Sequence, residues 1–190
     1  MSGKPQYDEQ AVIAAALTVF WRDGYGGASI NNLTAATGLS RSSIYQRFGD
    51  KDGLFNEAVT RYTEVALKRM RAVQGDTPRQ TVHALLREFV RKENSEKPAG
   101  CLLGRSCGEF GAMPEASRQL VEAGLAGQRV LLEELVRSGI AAGELAADTD
   151  PTALAWYYIG ITQAMLNLPE AGARRADIDR MVDTAMLAWR

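Results

Sequence analysis

The chain has little of what most protein chemistry requires. Its 190 residues include two cysteines and one histidine. Two cysteines make no disulfide framework, and a reduced, cytosolic setting is the expectation. If Cys101 and Cys107 share a helix, their Cα atoms lie about 10 Å apart, whereas a disulfide spans about 4.4–6.8 Å. There is no CxxC pair and no histidine cluster to hold a metal, so no cofactor is expected. HExxH, P-loop, GxSxG and dinucleotide fingerprints are missing, and no acid/base pair has a meaningful spacing. An enzyme is disfavoured. Long apolar runs are missing too. The start, MSGKPQYDEQ, has no apolar core of a signal peptide. The most apolar stretch, 153–168, is broken by Gln163 and Asn167 and is too short to span a bilayer. The chain is read as cytoplasmic, with no membrane partner. One absence is local: from Gly24 to Gly49 there is no acidic residue, only Arg41 and Arg47.

That gap matters because the total charge hides it. The net charge is −1, from 22 basic and 23 acidic residues. Residues 1–73 carry nine basic against seven acidic groups, a net of +2, and the remainder carries −3. An acid-free stretch in an otherwise acidic chain is where a polyanion can sit. Hydrophobic residues make up 46% of the chain, enough to bury a core.

The periodicity is helical nearly everywhere. Ile13, Ala16, Leu17, Phe20 and Trp21 share a face, and Gly24 stops that helix. No alternating run of β-branched or aromatic residues predicts a strand. Thr77-Pro78-Arg79-Gln80 is a capping-box pattern, and Asp150-Pro151 repeats the cap-then-proline signal. The predicted fold is all-α, with about nine helices near 7–24, 29–36, 40–47, 51–73, 78–95, 102–112, 115–142, 151–168 and 175–190.

Ser29 to Phe48 reads as two short helices joined at Gly38. Ile30, Leu33, Ile44 and Phe48 face inward, and Ser40 caps the second helix. This is the pattern of a helix-turn-helix, whose second helix enters the major groove. Its outward face is Arg41, Ser42, Ser43, Gln46 and Arg47, with Tyr45 at the edge. Such side chains reach phosphates and base edges; Gln46 suits adenine, and Arg41 suits guanine or phosphate.

Residues 15–55 resemble the DNA-binding domain of the TetR family of transcriptional regulators. The resemblance rests on Ala16, Phe20, Gly24-Tyr25, Ser29-Ile30, Leu33, Ala36, Gly38-Leu39-Ser40, Ile44-Tyr45, Phe48, Lys51 and Leu54. It implies a DNA-binding domain over 1–50 and a ligand-binding and dimerisation domain over 51–190. It implies a homodimer on a palindromic double-stranded operator, released by a small-molecule inducer, apolar or thiol-reactive. By the same resemblance Ser40, Tyr45, Arg47 and Lys51 hold phosphates. Arg41, Ser42, Ser43 and Gln46 read bases, and Lys51 starts the helix that couples the domains. Ser29 and Asn31 are further candidate DNA contacts. Ala28 and Asn31 depart from the family pattern, which lowers the expected number of backbone contacts and the salt dependence.

The remainder offers a dimer face and a pocket. The eighth helix is apolar nearly all round and must bury two sides. Tyr158, Ile159, Thr162, Met165 and Leu166, with Ile178, Met181, Val182, Ala185, Met186 and Trp189, are the predicted dimer residues. Tyr62, Phe89, Phe110, Met113, Trp156 and Tyr157 are candidate ligand residues, each also suited to ordinary core. Gly100, Gly104, Gly108 and Gly111 would share one face of a weak helix, either for close packing or as a yielding element. Cys101 and Cys107 join the candidate ligand set. Cys101, near a helix N-terminus and Arg105, is either a packing residue or an electrophile sensor; Cys107 is read as a small buried hydrophobe. Glu133 and Glu134 are read as surface charges.

Overall fold

The computed structural model describes residues 7–89, 98 and 100–190. Among these there are nine α-helices and no strand. They are α1 (Glu9–Gly27), α2 (Ile30–Thr37), α3 (Arg41–Phe48), α4 (Lys51–Ala72), α5 (Pro78–Phe89), α6 (Leu102–Cys107), α7 (Glu115–Ala141), α8 (Pro151–Asn167) and α9 (Arg175–Ala185). By packing they form two compact units, 1–65 with 102–124, and 66–101 with 125–190. Packing thus groups α6 with the N-terminal helices.

Local signals set the first unit's helix ends. Asp8 caps α1, its carboxylate accepting the N–H groups of Gln10 (2.9 Å) and Ala11 (3.3 Å). Ser29 caps α2 and Ser40 caps α3, each oxygen accepting a backbone N–H at 3.1 Å. Gly38 closes α2 at φ +70°, the left-handed conformation that suits glycine. Inside α1, Gly24 takes φ +80° and ψ +173°. That region is essentially glycine-only, so the regular helix stops there and Tyr25–Gly27 form a separate last turn. The core is Phe20, Leu33, Ile44, Leu54 and Phe55, all fully buried. Phe55 meets the rings of Phe20 and Tyr25 edge-on, at 5.1 and 5.0 Å.

The glycine-rich segment departs from the single helix expected over 102–112. Gly100 lies ahead of α6 at φ +80°. α6 ends at Cys107, and after Gly108 a short 3₁₀ turn covers Phe110–Ala112. Only Gly104 lies within a regular helix, so the four glycines form no common face. Clustered glycines break a helix here because each lowers its stability by about 1 kcal/mol relative to alanine.

In the second unit, α5, α8 and α9 join the later parts of α4 and α7 around one core. Asp150 caps α8 by accepting the N–H groups of Thr152 and Ala153. Thr77 caps α5 through the N–H of Gln80 at 3.3 Å. The Gln80 side chain reaches back one residue further than the expected box, to the N–H of Asp76 at 3.0 Å. Residues 90–95 of the expected fifth helix lie outside the described residues. α9 stops at Ala185 and tightens into a 3₁₀ turn, Met186–Ala188, that delivers Trp189 into the core. Trp189 lies on Gly139, where a Cβ would come within 2.3 Å of the indole. Its N–H donates to Glu144 at 3.1 Å.

The predicted dimer residues are mostly core of their own chain. Tyr158, Ile159, Met165, Ile178, Val182, Ala185, Met186 and Trp189 are all buried in it. Thr162, Leu166 and Met181 are half-buried. The apolar side that α8 leaves open is the opposite one, with Trp156 48% and Tyr157 40% exposed. A helix apolar on every face does not say from sequence alone which face its own chain fills. Glu133 is not the surface charge it was read as. It is buried on α7, accepts Thr152 Oγ1 at 2.9 Å, and pairs with Arg129 and Arg137. Those three partners hold its carboxyl below the usual carboxylate range.

Candidate nucleic-acid interface

α2, the Gly38 turn and α3 build a helix-turn-helix. Ile44 and Phe48 anchor α3 in the core, at 0% and 8% exposure. That burial turns Arg41, Ser42, Tyr45, Gln46 and Arg47 outward, all exposed, with Ser43 half-buried between them. Ser40 Oγ lies 2.8 Å from both Ser42 Oγ and Ser43 Oγ. A hydroxyl cluster therefore sits at the N-terminus of α3, where helix amides favour anions. Arg41 donates to the side-chain oxygen of Asn31. Asn31, an unusual residue by the family pattern, thus aims the first arginine of α3.

Two predicted phosphate contacts are already engaged within the unit. Arg47 pairs with Glu9 through both nitrogens, Nε at 2.8 Å and Nη2 at 2.6 Å. The guanidinium holds the Glu9 carboxyl below its ordinary range. Lys51 Nζ donates to the Tyr25 carbonyl at 3.0 Å and lies 4.2 Å over the Tyr25 ring. The Tyr25 hydroxyl donates to Asp52 at 2.5 Å; burial, together with that carboxylate, pushes the phenol upward. Tyr25 is therefore fixed to the start of α4 at both ends. Gly53 makes that start possible, since a Cβ there would come within 1.9 Å of the Phe48 carbonyl oxygen.

Sequence reasoning missed Glu9 and Glu109. Glu109 follows α6, and its carboxylate accepts the N–H groups of Tyr25 (3.1 Å) and Gly26 (2.7 Å). The Gly24 kink turns those amides out of the α1 ladder, and the carboxylate satisfies them. A Cβ on Gly24 would lie 2.4 Å from Glu109 Oε1. From the sequence Gly24 reads only as a helix stop, and nothing local points to Glu109, 85 residues on.

The predicted ligand residues fall in both units. Tyr62, Cys107, Phe110 and Met113 belong to the first unit; Cys101, Trp156 and Tyr157 belong to the second. Tyr62 is half-buried edge-on to Trp21 at 5.1 Å. Met113 is buried and Phe110 half-buried. The side chain of Phe89 lies outside the described residues. Cys101 is buried at 4% exposure, in keeping with the packing reading, whereas Cys107, expected to be buried, is exposed. Cys107 ends a six-residue helix and precedes a glycine, and its thiol donates to the Leu103 carbonyl at 3.3 Å. Two cavities within the second unit, of about 310 and 20 Å³, are lined by none of these residues. Among the described residues no three His, Cys, Asp or Glu side chains converge as a metal site. No helix among them is long and apolar enough to cross a membrane.

A helix-turn-helix presenting two arginines, a glutamine and a serine cluster defines a DNA-binding regulator. The chain belongs to the TetR family: residues 12–58 match "Bacterial regulatory proteins, tetR family", and residues 78–188 match "Tetracyclin repressor-like, C-terminal domain". It is 26% identical over 192 residues to the HTH-type transcriptional repressor ComR of Escherichia coli, covering 98% of this chain and 91% of that protein. Over 52 residues it is 42% identical to the HTH-type transcriptional repressor AcnR of Corynebacterium glutamicum, 27% of this chain and 28% of that one. Its fold is similar to that of a cysteine-substituted CifR, a TetR family regulator complexed with 26-bp double-strand operator DNA. That match has a TM-score of 0.86 and 33% identity over 99% of this chain and 100% of the other.

Proposed function

We propose that the protein is a cytoplasmic, ligand-responsive transcriptional repressor that binds a palindromic operator as a homodimer. The carrying observation is the exposed face of α3, with Arg41, Ser42 and Gln46 turned outward by the buried Ile44 and Phe48. The repressor name of ComR and the operator complex of CifR support the same reading. Residues 1–50 read DNA and residues 51–190 take the inducer and the second protomer. Arg41, Ser42, Ser43 and Gln46 meet base edges; Ser40, Tyr45, Arg47 and Lys51, with Ser29 and Asn31 beside them, meet the backbone. Arg47 must first leave Glu9, while Lys51 has two N–H donors besides the one given to Tyr25. Trp156, Tyr157 and Val130, all exposed, with Arg129 over the Trp156 ring at 6.0 Å, are the apolar surface that a two-fold mate covers.

Release runs through Glu109. A shift of α6 withdraws the carboxylate from Tyr25 and Gly26, and Tyr25 carries Lys51 and Asp52 with it. If the inducer is thiol-reactive, Cys107 takes it, because that thiol is exposed two residues before Glu109. The test is selection of bound DNA from a random pool, followed by anisotropy titration of the enriched sequence. A palindrome is expected. Gln46→Ala should lose about 1–3 kcal/mol of discrimination at one base pair per half-site. Enrichment without two-fold symmetry, or an equal loss on every sequence, overturns the assignment.

A further inference from the structure

The two arginines of α3 are held by different kinds of partner, and the difference bears on what each can read. Arg47 is clasped by a carboxylate, that of Glu9. Arg41, the first residue of α3, donates from Nη2 to the side-chain oxygen of Asn31 on α2. An amide oxygen is a neutral acceptor. It directs a guanidinium without cancelling its charge, and it brings no carboxylate that DNA phosphates would repel. Between Gly24 and Gly49 no acid competes for Arg41.

Asn31 is itself firmly placed. It lies in the first turn of α2, between the Ser29 cap and the fully buried Leu33. Its backbone carbonyl accepts the Thr34 hydroxyl at 2.9 Å. Only the oxygen end of an amide accepts from a guanidinium, so the contact also orients the amide. Nδ2 keeps both N–H donors for a neighbouring phosphate.

A guanidinium can meet two acceptors side by side along either of two edges, Nε with Nη2 or Nη1 with Nη2. Nη2 gives one N–H to each edge. Asn31 takes one of these, which engages one edge and leaves the other whole. Guanine presents O6 and N7 as paired acceptors in the major groove, and a whole edge matches them. Adenine sets an N6 donor beside N7, so the same edge fits it poorly. A phosphate contact needs charge but carries no sequence information. A free exposed arginine samples many rotamers, and ordering it on binding costs affinity. An arginine already tethered loses less.

We propose that Asn31 is a positioning residue for sequence reading, and that it commits Arg41 to a guanine rather than to a phosphate. This rests on the reading of α3 as the helix that enters the major groove. Arg47, masked by Glu9, serves the backbone, while Arg41, aimed and still charged, serves the base.

Anisotropy titrations of the full chain test it on the duplex enriched from the random pool, with each G·C pair of a half-site replaced in turn by A·T. In the parent, one replacement should weaken binding about tenfold or more, and Arg41→Ala should erase that preference. Asn31→Ala should cut it to about threefold or less by freeing the Arg41 rotamers. It should cut nothing further in the Arg41→Ala background. Asn31→Asp keeps an oxygen acceptor. It should restore the preference while its charge weakens binding to every sequence alike. A loosened fold would lower all affinities together and would not be rescued by Asn31→Asp. A guanine preference that needs Arg41 but survives Asn31→Ala refutes the positioning role and leaves α3 as the reader. Equal loss on every sequence from Arg41→Ala puts Arg41 on the backbone and refutes the proposal as well. If no sequence is enriched, the proposal falls together with the assignment of α3.

Discussion

The Glu109 carboxylate accepts the backbone N–H of Tyr25 at 3.1 Å, across 84 residues of chain. It accepts Gly26 N–H as well, so the segment after α6 holds the broken end of α1 through two charge-assisted bonds. Glu109→Ala should therefore cost about 1–3 kcal/mol by leaving the buried Tyr25 amide unpaired. It should also uncouple the two activities: operator binding persists in anisotropy titrations while inducer no longer releases it. Gly24→Ala attacks the same joint from the other side. Its backbone conformation alone costs a side chain about 1–3 kcal/mol, and the added Cβ would strike Glu109. Full inducer response in Glu109→Ala would show that the link carries no signal.

Glu9 occupies the guanidinium of Arg47. Glu9→Gln should release that arginine and strengthen binding to all DNA sequences alike. The slope of log K against log salt should become steeper by about one phosphate contact. An unchanged slope would mean that Arg47 stays off the backbone.

Glu133 ties α7 to the first turn of α8 through Thr152 and to Arg129 and Arg137. Its carboxyl is held low, so the native state binds its proton less readily than the unfolded chain does. The stabilisation is present above the unfolded carboxylate range and is lost as pH falls through the depressed folded value. Glu133→Gln should lower the melting temperature by several degrees at pH 7. The gap between variant and parent should then close on acidification below about pH 4. A pH-independent gap would point to lost packing instead.

The two thiols should behave differently. A maleimide probe should label native Cys107 quickly and Cys101 only upon unfolding, as read by mass spectrometry of digested protein. If a thiol-reactive inducer acts, Cys107→Ser should abolish its effect and Cys101→Ser should keep it. The opposite pattern would return the role to Cys101.

The parts of the site that were legible in the sequence are those set by neighbours in the chain. Ser29, Ser40 and Asp150 cap helices because a side-chain oxygen reaches an amide two or three residues on. Gly38 turns the chain because its φ is positive. The outward face of α3 followed from the places of Ile44 and Phe48. What stayed hidden depends on distant pairing. Arg47 meets Glu9 across 38 residues, and no local pattern predicts it. The faces of α8 were unassignable because Trp156 and Tyr158 are equally apolar on paper, yet one is 48% exposed and the other fully buried. The expected burial of Cys107 failed for a simpler reason: the predicted helix over 102–112 ends at Cys107, just before Gly108.

The Glu9–Arg47 pair has one more consequence, for the time the protein spends searching. A bacterial chromosome is a vast excess of wrong sites, and every unshielded cation prolongs each stay on one. If Arg47 meets the backbone as proposed, the carboxylate clasped to α3 would act as a resident decoy phosphate. Casual encounters would then be brief, and the arginine would become available only where enough correct contacts form to displace it. A chain with a net charge of −1 would thus carry a DNA-reading surface without being held by random sequence.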